Sequence, residues 1–297
     1  MPELPDLELY VACLRPRVVG QALQRMRVFS PFVVRSVEPP LSETHGRAVV
    51  EVRRMGKRIV LHFADELYLI IHLMIAGRLL WKKPGAMRPG KIGLAALDFA
   101  AGSLQLTEAG TKKRAALHLV CGEASLRRHD PGGLEPLECG PAAFTAALRR
   151  GNHTLKRALT DPRLFSGIGN AYSDEILHAA RLSPLALTGR LTDAETERLF
   201  EATRSTLSRW TDSLLRQFAD RFPGPGDVTA FRDGFAVHGR FGQPCPDCGC
   251  AVQRIRYAEN ETNYCPVCQT QGRVLADRSL SRLLKNDWPR SVEELNF

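Results

Sequence analysis

The chain has 297 residues, eight of them cysteine, and a formal net charge of +9. With 44% hydrophobic and 25% charged residues, its composition is that of a globular protein of two or three domains and excludes a disordered one. Its apolar runs are far shorter than the ~20 residues of a membrane span, and its start lacks the basic and apolar regions of a signal peptide. We therefore expect a cytoplasmic monomer with no membrane partner. The charge permits a polyanion as partner, and a reducing location favours metal binding or free thiols over disulfides.

The first 125 residues are predicted to be mostly β-structure. Short apolar or alternating runs, separated by Gly, Pro and Asp, are typical of a sandwich or barrel. These runs are 48–53, 58–63, 67–73 and 117–120. A helix is predicted over 7–14, where Leu7, Val11 and Leu14 recur at helical spacing and Asp6 can cap the first turn.

After a segment at 127–141 that is rich in Gly, Pro and charge, the pattern becomes helical. Apolar positions three and four apart predict four amphipathic helices. They cover 142–150, 154–160, 170–180 and 193–216, and Thr192 and Asp193 are suitable caps for the last one. A Pro-Gly cluster at 222–227 marks a second boundary, and one short helix is predicted around 279–285.

Two Cys-x-x-Cys pairs, separated by 16 residues, predict a metal site. Its ligands are Cys245, Cys248, Cys265 and Cys268. Four thiolates on two tight turns suit one tetrahedral Zn²⁺ with no open position, which indicates a structural metal. Arg254 and Arg256 make the intervening hairpin basic, as a nucleic-acid contact requires, although a protein-binding zinc ribbon would have the same pattern.

The other four cysteines are predicted to play no part in this site. Cys250 is expected to be a spectator beside the ligands, and Cys13, Cys121 and Cys139 to fill buried, small apolar positions.

The chain start suggests a nucleophile. Pro2 follows the initiator Met, and a proline there normally allows Met removal, which leaves a secondary amine. An α-amino group titrates near 8, so a useful fraction is neutral at physiological pH and can form a Schiff base with a carbonyl or a sugar C1′. Glu3 lies beside it and can transfer protons.

Four motifs, in order along the chain, resemble those of the Fpg/Nei family of DNA glycosylases, that is, formamidopyrimidine-DNA glycosylase and endonuclease VIII. They are Met-Pro-Glu-Leu-Pro-Asp-Leu-Glu at 1–8, Gly-Lys-Arg at 56–58, Gly-Ile-Gly-Asn-Ala-Tyr-Ser-Asp-Glu at 167–175, and the glycine- and cysteine-containing segment at 239–269. The first motif is closer to the formamidopyrimidine enzymes. The resemblance covers nearly the whole chain except the last ~25 residues.

The resemblance implies an α+β fold in five parts. These are an N-terminal β-sandwich catalytic domain at 1–125, a linker at 126–140, a helix-two-turn-helix DNA-binding domain at 141–225, a zinc-finger hairpin at 238–275 and a C-terminal tail at 276–297. It also implies damaged DNA as the partner, with the damaged nucleotide flipped out of the stack.

The resemblance further implies roles for individual residues. Pro2 attacks C1′ and expels the base, Glu3 is the acid/base, and β- and δ-elimination then nick the strand. Lys57 and His72 match family residues that bind phosphate near the lesion. Asn170 matches the asparagine that holds the backbone at a helix N-terminus, and Lys156 matches a family lysine expected to face the DNA.

Three departures from the family pattern concern lesion recognition. Asn260 stands where the family's finger carries an arginine, and it cannot make that charged bidentate contact, for which Arg254 or Arg256 would have to compensate. Ile75 aligns with the family's gap-filling methionine, and Met74 replaces a glycine. The stretch 107–114 lacks the family's Phe wedge, although its Lys112, Lys113 and Arg114 can still hold phosphate.

The sequence therefore predicts a DNA glycosylase with AP lyase activity and an altered substrate, for example a bulky adduct, a crosslink or single-stranded DNA. One alternative is a non-catalytic binder of damaged or structured DNA with the same fold. Another alternative is a zinc-ribbon module that binds protein. Such a module would not bind DNA, so a DNA affinity that falls strongly with salt would exclude it.

Overall fold

The computed structural model describes residues 1–257, 260–277, 281, 283 and 289–295. The chain forms two compact units, the first made of Met1–Pro131 and Trp210–Ala230 and the second of Gly132–Arg209 and Phe231–Phe297. The crossing between them falls inside the predicted linker, but Trp210 onward groups with the first unit and not with the helical segment before it. The predicted domain ranges stay predictions. The helix predicted at 279–285 lies largely outside the described residues.

The first unit contains two four-stranded antiparallel sheets, with strand orders β1-β6-β7-β5 and β2-β3-β4-β8. The strands are β1 (Arg25–Val28), β2 (Val49–Met55), β3 (Arg58–Phe63), β4 (Leu67–His72), β5 (Gly77–Lys82), β6 (Gly93–Phe99), β7 (Gly102–Glu108) and β8 (Ala116–Cys121). All four predicted runs are strands, to within two residues at each end.

The core of this unit lies between the two sheets, as in a sandwich. Alternate residues such as Ile59 and Leu61 of β3 join Leu97 and Leu104 of the other sheet in one buried cluster. The opposite face of β3 and β4 carries Val60 and its neighbours, which form a smaller apolar cluster with the short helix α2 (Glu123–Arg127). The β-sandwich prediction is confirmed.

Helix α1 (Leu4–Val18) is longer than predicted and begins earlier. Asp6 caps the first turn, as predicted, but from inside the helix: Glu3 is the N-cap, and Asp6 is the third helical residue, whose carboxylate accepts the Glu3 backbone N–H at 2.9 Å. Reciprocal capping of this kind moves the helix start three residues upstream of the position read from Asp6. The helix continues past Leu14 to Val18, and Arg15 in this part donates from Nε to the Val52 carbonyl of β2 at 3.0 Å.

The second unit is helical before its cysteine-rich segment. Its helices are α3 (Pro141–Leu148), α4 (Leu155–Thr160) and α5 (Asn170–Ala179), and the long helix α6 (Asp193–Gln217) begins in it and continues into the first unit. Of the two predicted caps of α6, Thr192 is used, and its partner is Glu195: the Thr192 Oγ1 accepts the Glu195 N–H at 3.2 Å, and Glu195 Oε2 accepts the Thr192 N–H at 2.9 Å. Asp193 is the first helical residue.

The second unit also contains a two-stranded hairpin, β9 (Gln253–Tyr257) and β10 (Asn260–Tyr264), which is followed by the short helix α7 (Pro266–Thr270). Within the described part of the chain, no helix is both long and apolar enough to cross a membrane.

Candidate functional site

The chain start of the first unit is buried at the N-terminus of α1. Pro2 and Glu3 are both buried, while Met1 is 37% exposed. Burial lowers the pKa of the Met1 α-amine below its ordinary value of 8.0; Glu3 opposes this shift, and Arg78 and Lys57 add to it. An amine at this place is therefore enriched in its neutral, nucleophilic form.

Lys57 lies in the tight turn between β2 and β3. Gly56 has a positive φ of 59°, which a glycine adopts without strain. Arg54, whose side chain is only 8% exposed, donates from Nη1 to the Gly56 carbonyl at 3.1 Å and from Nε to Glu8 of α1 at 2.7 Å. The Lys57 turn is thus connected to the helix that begins directly after Pro2 and Glu3.

His72 ends β4 and is half-buried. Burial, reinforced by Arg58, His118 and Lys57, lowers its pKa from the ordinary 6.5 to about 4. The imidazole is therefore neutral at pH 7 and can donate one N–H to a phosphate. Pro2, Glu3, Lys57 and His72 all belong to the first unit.

The turn after β4 shows how the altered family motif is accommodated. Met74 has a left-handed φ of 52°, the conformation for which glycine is favoured, and Ile75 is 55% exposed at the tip of the turn. A Cβ on Gly77 would lie 2.2 Å from the Leu73 carbonyl oxygen, so the turn requires glycine there. The turn after β4 therefore exposes the branched aliphatic side chain of Ile75 to solvent.

The basic loop between β7 and β8 is held by one buried carboxylate. Glu108 is 2% exposed and accepts the backbone N–H groups of Arg114 at 2.8 Å and Ala115 at 3.1 Å. The Lys113 ammonium donates a hydrogen bond to the Glu108 carbonyl, whereas Lys112 and Arg114 are exposed. Two of the three predicted cations therefore point to solvent, from a loop whose base is fixed.

In the second unit, Asn170 is the first residue of α5, after Gly167 with a φ of 77°. Its Nδ2 donates to the Glu261 carbonyl of β10 at 2.9 Å. Lys156 of α4 donates to the Asn170 carbonyl at 2.6 Å and to Asp174 Oδ1 at 2.5 Å, and its side chain is 13% exposed. Lys156 therefore supports the helix start that carries Asn170.

A buried acidic pair on α5, to which the sequence analysis gave no role, holds the segment before the cysteines. Asp174 accepts from His238 Nδ1 at 2.7 Å. Glu175 accepts three backbone N–H groups, from Ala236 at 2.7 Å and from Val237 and His238 at 2.9 Å each. Both carboxylates stand in the quoted 167–175 motif. The motif therefore contained both residues, but their hydrogen bonds to residues 236–238 cannot be predicted from one sequence.

The hairpin arginines are paired with a carboxylate. Arg254 Nη1 and Arg256 Nε lie 3.3 and 3.5 Å from Glu261 Oε2, and the Arg254 guanidinium stacks 4.0 Å from the Phe241 ring centroid. Because Asn170 binds the Glu261 backbone, the structure brings Asn170, Arg254 and Arg256 together. Asn260 is exposed at the start of β10 and has no charge to add.

The four predicted ligand cysteines converge. Their Sγ atoms all lie within 4.8 Å of one another, with Cys245–Cys268 at 3.9 Å and Cys248–Cys265 at 3.4 Å. A tetrahedral zinc with bonds of about 2.3 Å places its sulfurs about 3.8 Å apart, so these thiols fit that ion. His178 of α5 contacts Cys245 Sγ through Nε2 at 3.3 Å, a contact that orients a ligand from outside.

The remaining cysteines divide. Cys250 is absent from the four-sulfur group, as predicted, and Cys13 is buried as predicted. Cys121 is exposed, so its predicted burial was wrong: it is the last residue of β8 and lies beyond the apolar face. Cys139 is half-buried.

Two family models match the chain. The formamidopyrimidine-DNA glycosylase N-terminal domain matches residues 1–131, and the formamidopyrimidine-DNA glycosylase H2TH domain matches residues 133–212. With the sandwich, the helical unit and the cysteine hairpin, these matches define the class: the chain is a DNA-repair glycosylase.

Relatives and solved structures agree over most of the chain. A formamidopyrimidine-DNA glycosylase of Heliobacterium modesticaldum is 32% identical over 276 residues, 91% of this chain and 100% of that protein. An uncharacterized formamidopyrimidine-DNA glycosylase-like protein of Mycobacterium tuberculosis is 43% identical over 161 residues, 52% of this chain and 99% of that protein. A Lactococcus lactis FPG mutant in complex with Fapy-dG containing DNA superposes with a TM-score of 0.80 at 27% identity, covering 91% of this chain and 100% of that one.

The chain belongs to the formamidopyrimidine-DNA glycosylase family, whose members are DNA glycosylases with AP lyase activity. The predicted family and the predicted fold class are confirmed.

Proposed function

We propose that this chain excises a damaged base from DNA through the secondary amine of Pro2 and then nicks the abasic strand. The observation that carries the proposal is the buried chain start: Pro2 and Glu3 are buried at the N-terminus of α1, and burial, with Arg78 and Lys57, lowers the pKa of the adjoining Met1 α-amine. Once Met1 is removed, Pro2 carries the chain-terminal secondary amine in this buried environment, which favours its neutral, nucleophilic form. It can attack C1′, with departure of the base, to give an iminium whose C2′ proton becomes acidic enough for elimination.

Glu3 is the proposed acid/base. It is 3% exposed and caps the same helix turn, so its carboxyl group is held beside the amine. In the first step it can protonate the sugar ring oxygen or the leaving base, and in the elimination it can accept a proton.

The proposed phosphate contacts fall into one set for each unit. In the first unit they are Lys57, His72 and the basic loop 112–114; in the second they are Asn170, Arg254 and Arg256, with Asn260 as an uncharged contact. We assign Lys156 a supporting role, because its ammonium is bonded to the Asn170 carbonyl and to Asp174. A phosphate that reaches Arg254 and Arg256 would replace the Glu261 carboxylate as their partner.

We further propose one structural Zn²⁺, held by the four cysteines. All four positions around the ion are filled by sulfur, so its contribution is to fold the hairpin that carries Arg254 and Arg256. We propose that the protein acts as a monomer.

The substrate is proposed to differ from that of the relatives. The exposed Ile75 is branched where the family has an unbranched methionine, and the 107–114 loop offers cations and no aromatic wedge. A gap left by a flipped nucleotide would be filled less completely, which favours lesions that already distort the duplex or single-stranded DNA.

Borohydride trapping tests the proposed function. The purified protein is incubated with duplexes that carry an abasic site or one of a panel of lesions, reduced, and digested for mass spectrometry. We expect a covalent adduct on the N-terminal peptide at Pro2, a strong loss of turnover in Glu3→Gln, and no loss in the matched control Glu51→Gln on the exposed face of β2. An adduct on a lysine would refute the nucleophile.

A non-catalytic DNA-binding function is the second candidate. It is favoured by Asn260, which leaves the finger without its usual arginine. It predicts tight binding of damaged duplex without any adduct or strand cleavage across the whole lesion panel.

A further inference from the structure

Three histidines and an arginine gather on the outer face of the sheet β2-β3-β4-β8, and the activity proposed above does not use them as a set. Ile59 of β3 pairs with Ile71 of β4, and both point into the core, so Arg58 and His72 lie on the opposite, outer face. His118 of β8 pairs with Ile70, which lies on that outer face. His129 follows α2, which covers the same face. We call His72, His118, His129 and Arg58 the histidine cluster.

Direct contacts join three members of the histidine cluster, Arg58, His118 and His129. The rings of His118 and His129 lie 4.7 Å apart between centroids at an angle of 55°. Arg58 donates from Nη1 to the His129 carbonyl at 2.6 Å, which fixes the loop that carries this imidazole. All four side chains are half-buried, so each keeps a solvent-facing part.

The electrostatic surroundings of the histidine cluster are positive. Burial, then Arg58, His118 and Lys57, lower the pKa of His72 to about 4. Burial, then His129, Arg58 and Arg35, lower the pKa of His118, and burial with Arg58 lowers that of His129. Burial also lowers the pKa of Arg58, and the carboxylate of Asp130, next to His129, raises it. Burial first, and then the cations Lys57, Arg58 and Arg35, thus favour the neutral imidazoles.

A metal ion does not fit this arrangement. Among the described residues, the sets of three or more His, Cys, Asp or Glu ligand atoms within 4.8 Å of one another lie at the cysteine hairpin, and the three histidines do not form one. A guanidinium beside them also repels a cation. An anion fits instead, because guanidinium and imidazole N–H groups both donate and positive charge surrounds them.

We propose that the histidine cluster binds a backbone phosphodiester of DNA, so that His118, His129 and Arg58 add a phosphate position next to the one assigned to Lys57 and His72. This inference rests on the proposed function, because it takes DNA as the ligand. The phosphate stabilises the protonated imidazoles, so binding takes up protons. Affinity therefore rises as the pH falls from 8, where the imidazoles of the free protein are neutral, towards 5.5.

The test measures DNA affinity as a function of pH and salt. The probe is a fluorescent duplex with a tetrahydrofuran abasic analogue, which the protein cannot cleave, read by anisotropy at pH 8.0 and 5.5 over a salt series. For the wild type we expect roughly tenfold tighter binding at pH 5.5 and a salt slope steeper by about 0.9, as one more phosphate is neutralised. The double variant H118Q/H129Q should lose most of both changes. The matched control is His62→Gln, since His62 stacks on Tyr68 farther along the same face.

A second measurement removes the dependence on variant folding. In the wild-type protein, NMR of the imidazole groups gives the pKa of His118 and His129 with and without the duplex, and both values should rise on binding. Unchanged values, or a pH dependence that H118Q/H129Q shares with the wild type, would overturn the proposal. The two proposals can fail independently. A protein that shows this pH-dependent binding but gives no covalent adduct after borohydride reduction would support the phosphate site and contradict the proposed glycosylase reaction.

Discussion

The Glu175 carboxylate accepts three backbone hydrogen bonds, so the variant Glu175→Gln tests how much these bonds stabilise the second unit. The carboxylate is 3% exposed and accepts from three consecutive residues, Ala236, Val237 and His238, which lead into the cysteine hairpin. Glutamine has the same shape. Its amide nitrogen, however, replaces the oxygen that accepts the Ala236 N–H, so two donors face each other, and the two remaining bonds lose their charge.

The structure sets the size of the effect. A hydrogen bond to a buried charged group is worth about 1.5 to 3 kcal/mol, and a buried donor left without an acceptor costs a similar amount. One lost and two weakened bonds therefore destabilise the second unit by about 3 kcal/mol. In a unit of this size, each kcal/mol of lost stability lowers Tm by about 3 °C, so we expect Tm to fall by about 9 °C.

Calorimetry of the zinc-loaded full-length protein measures this change, and transfer of the metal to a chromogenic chelator reports on the hairpin. Glu197→Gln, on the exposed side of α6, is the control and should change the stability by less than about 0.5 kcal/mol. We expect the Glu175 variant to melt earlier and to release metal faster. Equal melting and equal release in the two variants would refute the idea that this carboxylate holds the hairpin segment.

Three further outcomes are expected. Cys265→Ala should lower bound zinc below one ion per chain by elemental analysis and weaken DNA binding, whereas Cys121→Ala should do neither. His72 has a folded-state pKa of about 4, below the unfolded value of about 6.5, so it opposes folding progressively as the pH falls from 6.5 to 4. Discounted for partial exposure, His72→Gln should recover about 2 kcal/mol at pH 4 and nothing at pH 7.5 in urea unfolding; a gain at pH 7.5 would contradict this sign. Asn260→Arg should steepen the salt dependence of DNA binding by about one unit, and an unchanged slope would show that the hairpin tip does not reach a phosphate.

Periodicity and spacing predicted much of this fold. Residues 58–63 alternate because one side of β3 faces the core, and the run 67–73 is nearly all apolar because both sides of β4 are covered. The cysteine pairs predicted their own cluster because each Cys-x-x-Cys turn places two sulfurs together whatever the surrounding fold. Such features depend on neighbours in sequence, and these are visible without a structure.

Features that depend on distant partners could not be predicted. Nothing near Glu175 in the sequence indicates that the backbone N–H groups donating to its carboxylate belong to residues some 60 positions later. Arg254 and Arg256 were predicted as DNA contacts, but their pairing with Glu261 follows from the register of the hairpin. His118 and His129 are eleven positions apart with no motif around them, and only the fold brings their rings into contact.

The first unit is completed by residues from late in the chain. Leu9 and Cys13 of α1 pack against Leu214 and Phe218, and Val228 joins the sandwich core. During synthesis, the strands up to β8 therefore leave the ribosome with one flank uncovered, and the helices α3 to α5 follow before that flank can close. A fragment that stops at Pro131 would keep this apolar flank exposed, and the two units cannot be separated by a single cut in the chain.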